Sequence, residues 1–346
     1  MTERKSRSYS VVLVIILIAS IILFSLNLML GSVSITLSDF FDTIMYGRDN
    51  TYRAIIIDYR LPQALTAVVA GAGLAVSGLL MQTLFRNPLA DPSILGISSG
   101  AGLGVALVVL FASSFAGRAI SQLAWWPTLG LTLSAFIGAF FVLLLILTLS
   151  AKLKSMVSLI LTGIMIAYIT GAITDMLKFF SSKEDIHSFV IWGLGSFSNV
   201  GHNHIVFLSI SIAVGIVASM LLSKPLNLLL LGERYAENLG LNIKRCNILV
   251  ILIAGYLTAL ITAYCGPIAF LGLAVPHIAR FLFRTSDHRI LIPATTLCGI
   301  NIALFCNLIS RLPGFDGNLP INSVSAMIGA PIVIWVIFYR KKHITR

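Results

Sequence analysis

Charged side chains are scarce in this sequence. Of its 346 residues, 11% are charged and 58% are hydrophobic, whereas a soluble globular domain carries about 25% charged residues. This shortage excludes an ordinary soluble domain and predicts an integral membrane protein with many spans. The net charge of +11 does not indicate nucleic-acid binding, because the cations lie in short loops between apolar runs, as membrane topology requires.

Several functional motifs are also missing from the sequence. It contains no Gly-x-x-x-x-Gly-Lys-Ser/Thr phosphate-binding loop, so any ATP that drives this protein is expected to bind another chain. No Cys-x-x-Cys pair predicts a zinc site or a disulfide framework, and no His/Asp/Glu cluster or nucleophile–base pair predicts a metal centre or an enzyme. The four cysteines are Cys246, Cys265, Cys298 and Cys306.

Apolar runs of about 20 residues, the length that crosses a bilayer, predict ten transmembrane helices. The run at 267–284 is short and contains polar residues, so nine helices are the alternative. No separate soluble domain is indicated, and residues 1–346 are expected to form a single transmembrane domain. The predicted spans lie near 10–30, 62–83, 93–112, 126–149, 157–180, 204–222, 246–264, 267–284, 289–311 and 322–340.

The distribution of cations favours ten helices over nine. With ten, most of the 24 Lys and Arg residues lie on the side that holds both chain ends, and the positive-inside rule makes that side cytoplasmic. The first apolar run is longer than the about 7–15 residues of a signal-peptide core. A retained first helix is therefore expected, although Ser32-Val33-Ser34 resembles a cleavage site.

Residues 60–104 hold two apolar spans joined by a short polar turn at residues 86–92. Small residues recur at every fourth position in both spans, which places them on one helix face and lets helix backbones approach closely. Within the turn, Asn87 and Asp91 are expected to cap backbone groups and Pro92 to begin the third helix. The small residues are Ala67, Gly71, Ala75, Gly96, Gly100 and Gly104.

This block resembles the FecCD-type permeases, the membrane subunits of ATP-binding-cassette (ABC) importers for ferric siderophores, haem and vitamin B12. Residues 266–280 are similar to the family's Gly-x-Ile-x-Phe-x-Gly-Leu-x-x-Pro-His-x-x-Arg signature. The resemblance implies an all-α protein of about ten transmembrane helices, with the type II ABC importer permease fold, in the bacterial cytoplasmic membrane. The residues that carry these motifs are Asn87, Pro88, Asp91, Pro92, Gly266, Pro267, Pro276, His277 and Arg280.

His277 invites a metal-binding or proton-relay interpretation. A lone histidine without a nearby carboxylate or thiolate is more often a structural hydrogen-bonding residue. We therefore expect a structural role for His277.

The segment at about 223–245, between the sixth and seventh predicted helices, favours a docking role at the cytoplasmic face. Glycines 232 and 240 bracket one or two short helices, which either rest on lipid headgroups or contact a cytosolic partner. The string Leu-Gly-Glu-x-x-Ala-x-x-Leu-Gly is similar to the coupling loop of FecCD permeases, and this implies contact with two cytosolic ATPase subunits. The matching residues are Leu231, Gly232, Glu233, Ala236, Leu239 and Gly240.

Arg60 and Arg311 lie at the outer ends of predicted helices. In the resembled family, arginines at these places pair with glutamates of an extracytoplasmic binding protein, and charge-assisted contacts of this kind orient a partner. The alternative is that both are interfacial anchors. Gln63 departs from the family's Arg-Leu-Pro-Arg string, so one docking cation is missing here.

The fifth predicted helix carries small and hydroxyl residues that the resemblance assigns to a translocation pathway at the axis of a homodimer. The alternative is ordinary helix packing. Asp175 lies inside this apolar span, one turn from Lys178, so either a local ion pair or a functional acid explains it. The pathway and gate candidates are Ser155, Ser158, Thr162, Gly163, Ala167 and Gly171.

The sequence thus predicts the permease subunit of an importer for a ferric siderophore or a related metal chelate. Vitamin B12 or haem is the alternative cargo within the family. No cofactor is expected on this chain, since ATP and Mg²⁺ would bind the ATPase subunits. An ion-coupled secondary transporter is the alternative from another class, but it would need intramembrane acid or histidine relays, for which Asp175 alone is thin support.

Overall fold

The computed structural model describes residues 2–31, 33, 35, 43, 51–112, 126–153, 155–311 and 318–344, and the regular structure within them is helical. Ser32 and Ser34, from the possible cleavage site, lie outside these residues. The helices are α1 (Thr2–Met29), α2 (Leu61–Leu84), α3 (Ile97–Ala106), α4 (Trp126–Ser150), α5 (Met156–Phe179), α6 (Lys183–Gly193), α7 (His202–Leu221), α8 (Ser223–Leu230), α9 (Glu233–Asn238), α10 (Ile243–Cys265), α11 (Leu271–Phe283), α12 (His288–Ser310) and α13 (Ile321–Ile344).

Short irregular turns extend two of these helices. A helical turn at Thr51–Ala54 and a π-helical turn at Ile55–Arg60 lead into α2. A 3₁₀ turn at Pro92–Leu95 precedes α3, and a π-helical turn at Leu107–Ala112 follows it. The third predicted span, 93–112, therefore contains more than one kind of helix, whereas the second, 62–83, lies wholly within α2.

The expectation of an all-helical membrane fold is confirmed. Among the described residues, seven helical segments are long and apolar enough to cross a bilayer: Tyr9–Met29, Tyr52–Leu84, Gly130–Ser150, Met156–Phe179, His204–Leu221, Ile243–Cys265 and His288–Ser310. Three shorter apolar helices are Ile97–Leu110, Leu271–Phe283 and Ile321–Val336. Each of the ten predicted spans coincides with one of these segments.

Helix α2 lies at the centre of the bundle, where it packs against α7, α10, α11 and α12. Its small residues make this packing possible. A Cβ atom added to Gly71 would overlap the carbonyl oxygen of Gly299 on α12, and one added to Gly78 would overlap that of Gly272 on α11. Close approach of helix backbones at small residues is the general packing mode of membrane helices.

A second group of helices, α3, α4 and α5, packs beside this centre. Gly100 and Gly104 of α3 face Gly138 and Ser134 of α4 so closely that a Cβ atom at either glycine would collide with backbone across the contact. The fourfold spacing of small residues in the sequence therefore marks two separate helix contacts, one on α2 and one on α3.

Contacts between distant parts of the chain define two ends of the bundle. The α9 end lies near the start of α12. It contains the turn at residues 86–92, the loop between α4 and α5, and helices α8 and α9. At the Arg60 end, the last residues of α1 and α12 lie beside Arg60. Described cations of the α9 end, the predicted cytoplasmic side, are Arg86, Lys152, Lys224, Arg234, Lys244, Arg245, Arg284 and Arg289.

Candidate functional sites

A short helix at the α9 end presents exposed apolar side chains. Leu231, Tyr235 and Leu239, which we call the α9 knob, are 60%, 58% and 55% exposed. Ala236, on the other side of α9, is fully buried and fixes the helix against the bundle. Grouped apolar side chains that stay exposed outside the membrane helices mark an interaction surface.

Two glycines set the path of the chain around α9. Gly232 has φ +113° and Gly240 has φ +88°, conformations that residues with a Cβ atom rarely adopt. At the end of α9, the Leu241 N–H donates to the carbonyl of Ala236 at 3.0 Å and the Gly240 N–H to that of Glu237 at 2.9 Å. These two bonds form a Schellman cap, so Gly240 is required by backbone geometry at this position.

A cavity of about 800 Å³ separates α9 from the loop between α4 and α5. Its walls carry charges of both signs. The negative charges are Glu233 and Glu237 on α9, and the positive charges are Lys152 in the loop after α4 and Lys244 at the start of α10. Ser155, the first gate candidate, is exposed and lines the same cavity. The structure therefore brings Glu233, a candidate for ATPase coupling, and Ser155, a candidate for the gate, to the same cavity.

The turn at residues 86–92 is held by its own side chains. Asn87 Oδ1 accepts from the N–H two residues further on at 2.9 Å. Asp91 Oδ1 accepts from the N–H of Ser93 at 2.9 Å and so caps the 3₁₀ turn that Pro92 begins. Both side chains satisfy backbone groups that would otherwise lack partners.

Helix α11 clamps this turn to α2. His277 Nε2 donates to the carbonyl of Pro88 at 2.7 Å. Arg280 donates to Gln82 Oε1, and Gln82 Nε2 donates to the carbonyl of Leu273 at 3.1 Å. His277 is 5% exposed, so its geometry is that of a structural hydrogen-bonding residue. The part of the chain that the structure describes holds no group of three His, Cys, Asp or Glu side chains that could bind a metal.

The remaining signature residues shape the backbone before and within α11. Gly266 ends α10 with φ +74°, and a Cβ atom there would overlap the carbonyl oxygen of Trp192. Pro267 follows in the connection to α11, and Pro276 lies buried inside that helix. These positions constrain how α10 and α11 join.

Two arginines cap the end of α1. Arg60 Nη1 donates to the carbonyls of residues 28 and 29 at 3.0 and 2.7 Å. Arg311 Nη2 donates to the carbonyls of residues 27 and 30 at 3.1 and 3.0 Å. The last turn of any helix leaves carbonyls without a partner inside the helix, and cations there also interact favourably with the helix dipole. The two arginines therefore stabilise α1.

A role as docking cations needs exposed guanidinium groups, and the structure shows buried ones. Arg60 is 4% exposed and Arg311 is 7% exposed. Gln63 belongs to the same arrangement, because its Oε1 accepts from Arg311 Nη1 at 3.0 Å. Docking by these arginines stays a prediction, and the geometry assigns them to helix capping.

The small residues of α5 divide between packing and exposure. Gly163 packs against the 3₁₀ turn before α3, where a Cβ atom would lie 2.5 Å from a carbonyl oxygen, whereas Gly171 faces open space. Ser158, Thr162 and Ala167 are partly buried. Helix packing thus accounts for Gly163, and a pathway role for the others stays a prediction. The exposed apolar residues of α5 are Val157, Leu161, Met165, Tyr168, Ile169, Ile173, Met176 and Phe179.

Asp175 forms an ion pair with its neighbour in sequence. Its Oδ1 lies 3.1 Å from Nζ of Lys178, and the Asp175 side chain is 75% exposed. An exposed pair of this kind contributes little to stability. The local ion pair describes Asp175 better than a buried relay acid does.

Sequence reasoning missed a polar cluster at the α9 end, in which His288 and Thr83 are buried and Asn227 is partly buried. Asn227 of α8, His288 at the start of α12 and Thr83 of α2 are joined by hydrogen bonds. Asn227 interrupts an apolar run, which is the signal that could have identified it, because a polar group among buried residues needs a partner. His288 gave no such signal, since it follows Asp287 in a stretch typical of a loop.

Comparison with known proteins identifies the family. The sequence profile of the FecCD transport family matches residues 16–339. This chain belongs to the FecCD transport family. The vitamin B12 import system permease protein BtuC of Klebsiella pneumoniae subsp. pneumoniae is 36% identical over 278 residues, which cover 80% of each chain. The BtuC of Salmonella typhi is 35% identical over 278 residues, covering 80% of this chain and 82% of the relative.

A solved structure shares the fold of this FecCD chain. It is described as an inward-facing conformation of an ABC transporter assigned to the metal-chelate type, and it matches with a TM-score of 0.81 and 31% identity over 95% of this chain and 98% of that one. The FecCD chain is therefore the permease of an ABC importer, a transport subunit of the cytoplasmic membrane and not an enzyme. Membership of this family rules out the alternative interpretation as an ion-coupled secondary transporter.

Proposed function

We propose that this FecCD permease imports a ferric siderophore or a related metal chelate. The observation that carries the proposal is the likeness to a metal-chelate type transporter over 95% of the chain. Vitamin B12 is the second candidate, because relatives named for vitamin B12 import are 36% identical over most of their length. The structure of the permease supports either cargo equally, since selection in such an importer would lie with the binding protein.

The proposed importer contains two copies of this chain, two cytosolic ATPase subunits and an extracytoplasmic binding protein. The α9 knob supports the ATPase contact, because three apolar side chains stay exposed at the basic end of the bundle. Under this proposal ATP and Mg²⁺ bind the ATPase subunits. The exposed apolar face of α5 is available for a membrane-embedded contact with a second copy, as are the exposed apolar faces of α1, α4 and α7.

Binding and uptake measured together test the cargo. The cognate binding protein is titrated with ferric hydroxamates, ferric catecholates, haem and cobalamin, and the tightest ligands are then offered to proteoliposomes that hold permease and ATPase. We expect tight binding and ATP-dependent uptake of a ferric chelate. Tight binding and uptake of cobalamin alone would assign the second candidate instead, and uptake driven only by an ion gradient would contradict both.

A further inference from the structure

The carboxamide of Asn227 forms hydrogen bonds between the segment that carries the α9 knob and the membrane helices. Asn227 lies on α8, whose neighbouring side chains Leu226 and Leu229 are buried. Asn227 Oδ1 accepts from the backbone N–H of His288 at 2.9 Å and from His288 Nδ1 at 2.7 Å. Asn227 Nδ2 donates to Asp287 Oδ1 at 2.6 Å. Asn227 thus makes three hydrogen bonds to the first residues of α12 and their cap.

These partners fix the orientation of each group. A carboxylate such as that of Asp287 accepts hydrogen bonds, so the amide nitrogen of Asn227 must face it and the amide oxygen must face His288. His288 therefore carries a proton on Nδ1. Its Nε2 then lies 2.8 Å from Thr83 Oγ1 as an acceptor. The single hydroxyl proton of Thr83 is shared between this nitrogen and the carbonyl of Leu79, which lies 2.9 Å from Oγ1. His288 is 1% exposed, so bulk water does not compete for these bonds.

Thr83 carries the connection into the central helix of the bundle. It lies in the last turn of α2, which runs without interruption back to Leu61. The adjacent Gln82 is bonded to Arg280 and to the carbonyl of Leu273 on α11. Directional hydrogen bonds therefore join α8, α12, α2 and α11 at one level of the bundle.

We propose that Asn227 and His288 are positioning residues for coupling, which pass a displacement of the α9 knob on to α2 and α12. The inference rests on the proposed function, in which an ATPase subunit moves α9. The apolar packing of Leu226 and Leu229 is non-directional, so it permits sliding of α8. Hydrogen bonds weaken steeply when their angle or distance changes, and a buried polar group is costly to leave unpaired. The hydrogen bonds from Asn227 through His288 to Thr83 therefore make α8, α12 and α2 move together.

The first test is Asn227→Ala, assayed as cargo transported per ATP hydrolysed. Permease, ATPase and binding protein are assembled in proteoliposomes with radiolabelled ferric hydroxamate or cobalamin, whichever the unmodified permease imports. Loss of the partly buried carboxamide leaves the buried His288 side chain without its partner, which predicts a drop of about fivefold in this ratio. Affinity for the ATPase subunit should not change, because the α9 knob is intact.

The matched control is Asn301→Ala. Asn301 is a partly buried asparagine of α12 itself. Its Nδ2 donates to Ser20 Oγ at 2.7 Å and to the carbonyls of Ile16 and Leu297 at 3.2 and 2.8 Å. It joins α12 to α1 and has no bond to α8. The control therefore measures what the loss of a partly buried amide costs without breaking the proposed link.

A second variant tests the far end of the link. Thr83→Val keeps the side-chain shape and removes the hydroxyl that contacts His288 Nε2 and the carbonyl of Leu79 in the same helix. We expect it to lower transport per ATP as Asn227→Ala does. The double variant should be no worse than either single change, since both break one chain. If both variants change the ratio no more than Asn301→Ala, the inference is wrong and the importer function stands. If the unmodified permease shows no ATP-driven uptake of either probe, the proposed function fails instead.

Discussion

The guanidinium groups of Arg60 and Arg311 lie side by side against Gly31. A Cβ atom added to Gly31 would be 2.9 Å from Arg60 Nη2 and 3.1 Å from Arg311 Nη2. Two like charges are held together because the carbonyl oxygens at the end of α1 surround them. The pair therefore joins the first helix to α2 and α12 at the Arg60 end.

Arg311→Ala is expected to destabilise the permease by about 2–3 kcal/mol, because it leaves buried carbonyls and Gln63 without their charged donor. Arg311→Lys should recover part of this loss, since a lysine restores the charge but not the planar fork. Thermal unfolding of the purified permease in detergent measures both.

Lys183→Ala is the control for Arg311, because Lys183 is an exposed cation at the start of α6. Its thermal midpoint should match that of the unmodified permease. Charge reversal at Arg60 and Arg311 that leaves the midpoint unchanged and abolishes binding-protein affinity would refute helix capping and support docking.

Gly78→Ala is expected to cost about 1–3 kcal/mol or more, because its new methyl group would overlap the backbone of Gly272 and force α2 and α11 apart. Gly102→Ala on α3 is the matched control, since a Cβ atom there meets nothing within 4 Å. Alanine in an open helical position should be neutral or slightly stabilising. Equal thermal midpoints for the two variants would argue against the close crossing of α2 and α11.

Leu239→Ser should weaken ATPase binding without unfolding the permease, because the side chain is 55% exposed and belongs to the α9 knob. Burial of one leucine at an interface is worth about 1.5–3 kcal/mol, which predicts at least about tenfold weaker binding. Co-purification and surface binding of the ATPase subunit measure it. Val190→Ser on α6, a comparably exposed apolar position, is the control, and an equal effect of both would remove the case for α9 as the dock.

Asp91→Asn is expected to raise stability at neutral pH. Burial raises the pKa of Asp91, while its hydrogen bonds to Ser93 act in the other direction. A carboxyl with a raised pKa in the folded state favours folding when protonated, so its contribution is lost as pH rises through the folded pKa. Asparagine keeps the cap and carries no charge. Thermal midpoints measured from acid to neutral pH should fall for the unmodified permease relative to Asp91→Asn. Parallel curves for the two proteins would contradict the raised pKa of Asp91.

The membrane spans could be predicted from the sequence because each depends on a local run of apolar residues. Helix α6 was missed because its 11 residues are too few to span a bilayer and begin with charged side chains. Its N-terminal signal was present, since Ser182 caps the helix by accepting from the N–H of Asp185. Capping signals are short, and a search by hydrophobic length overlooks them.

The environment of Arg60 could not be predicted in the same way. Its sequence position at a helix boundary fits an anchor, a docking cation or a cap equally well. Only the packing of α1, whose Leu28 lies 32 residues earlier in the chain, decides that its partners are carbonyls. The link between Asn227 and His288 was hidden for the same reason, because the two residues are distant in sequence.

ATP-dependent uptake of a radiolabelled ferric siderophore into proteoliposomes is the most direct test of the account. The vesicles contain this permease and its ATPase, and the binding protein is supplied outside. We predict accumulation that requires ATP hydrolysis and the binding protein, and that is lost when Leu231, Tyr235 and Leu239 are all replaced by serine in a permease that still folds. Uptake that persists without ATP, or in the folded triple variant, would contradict an ABC importer coupled through the α9 knob.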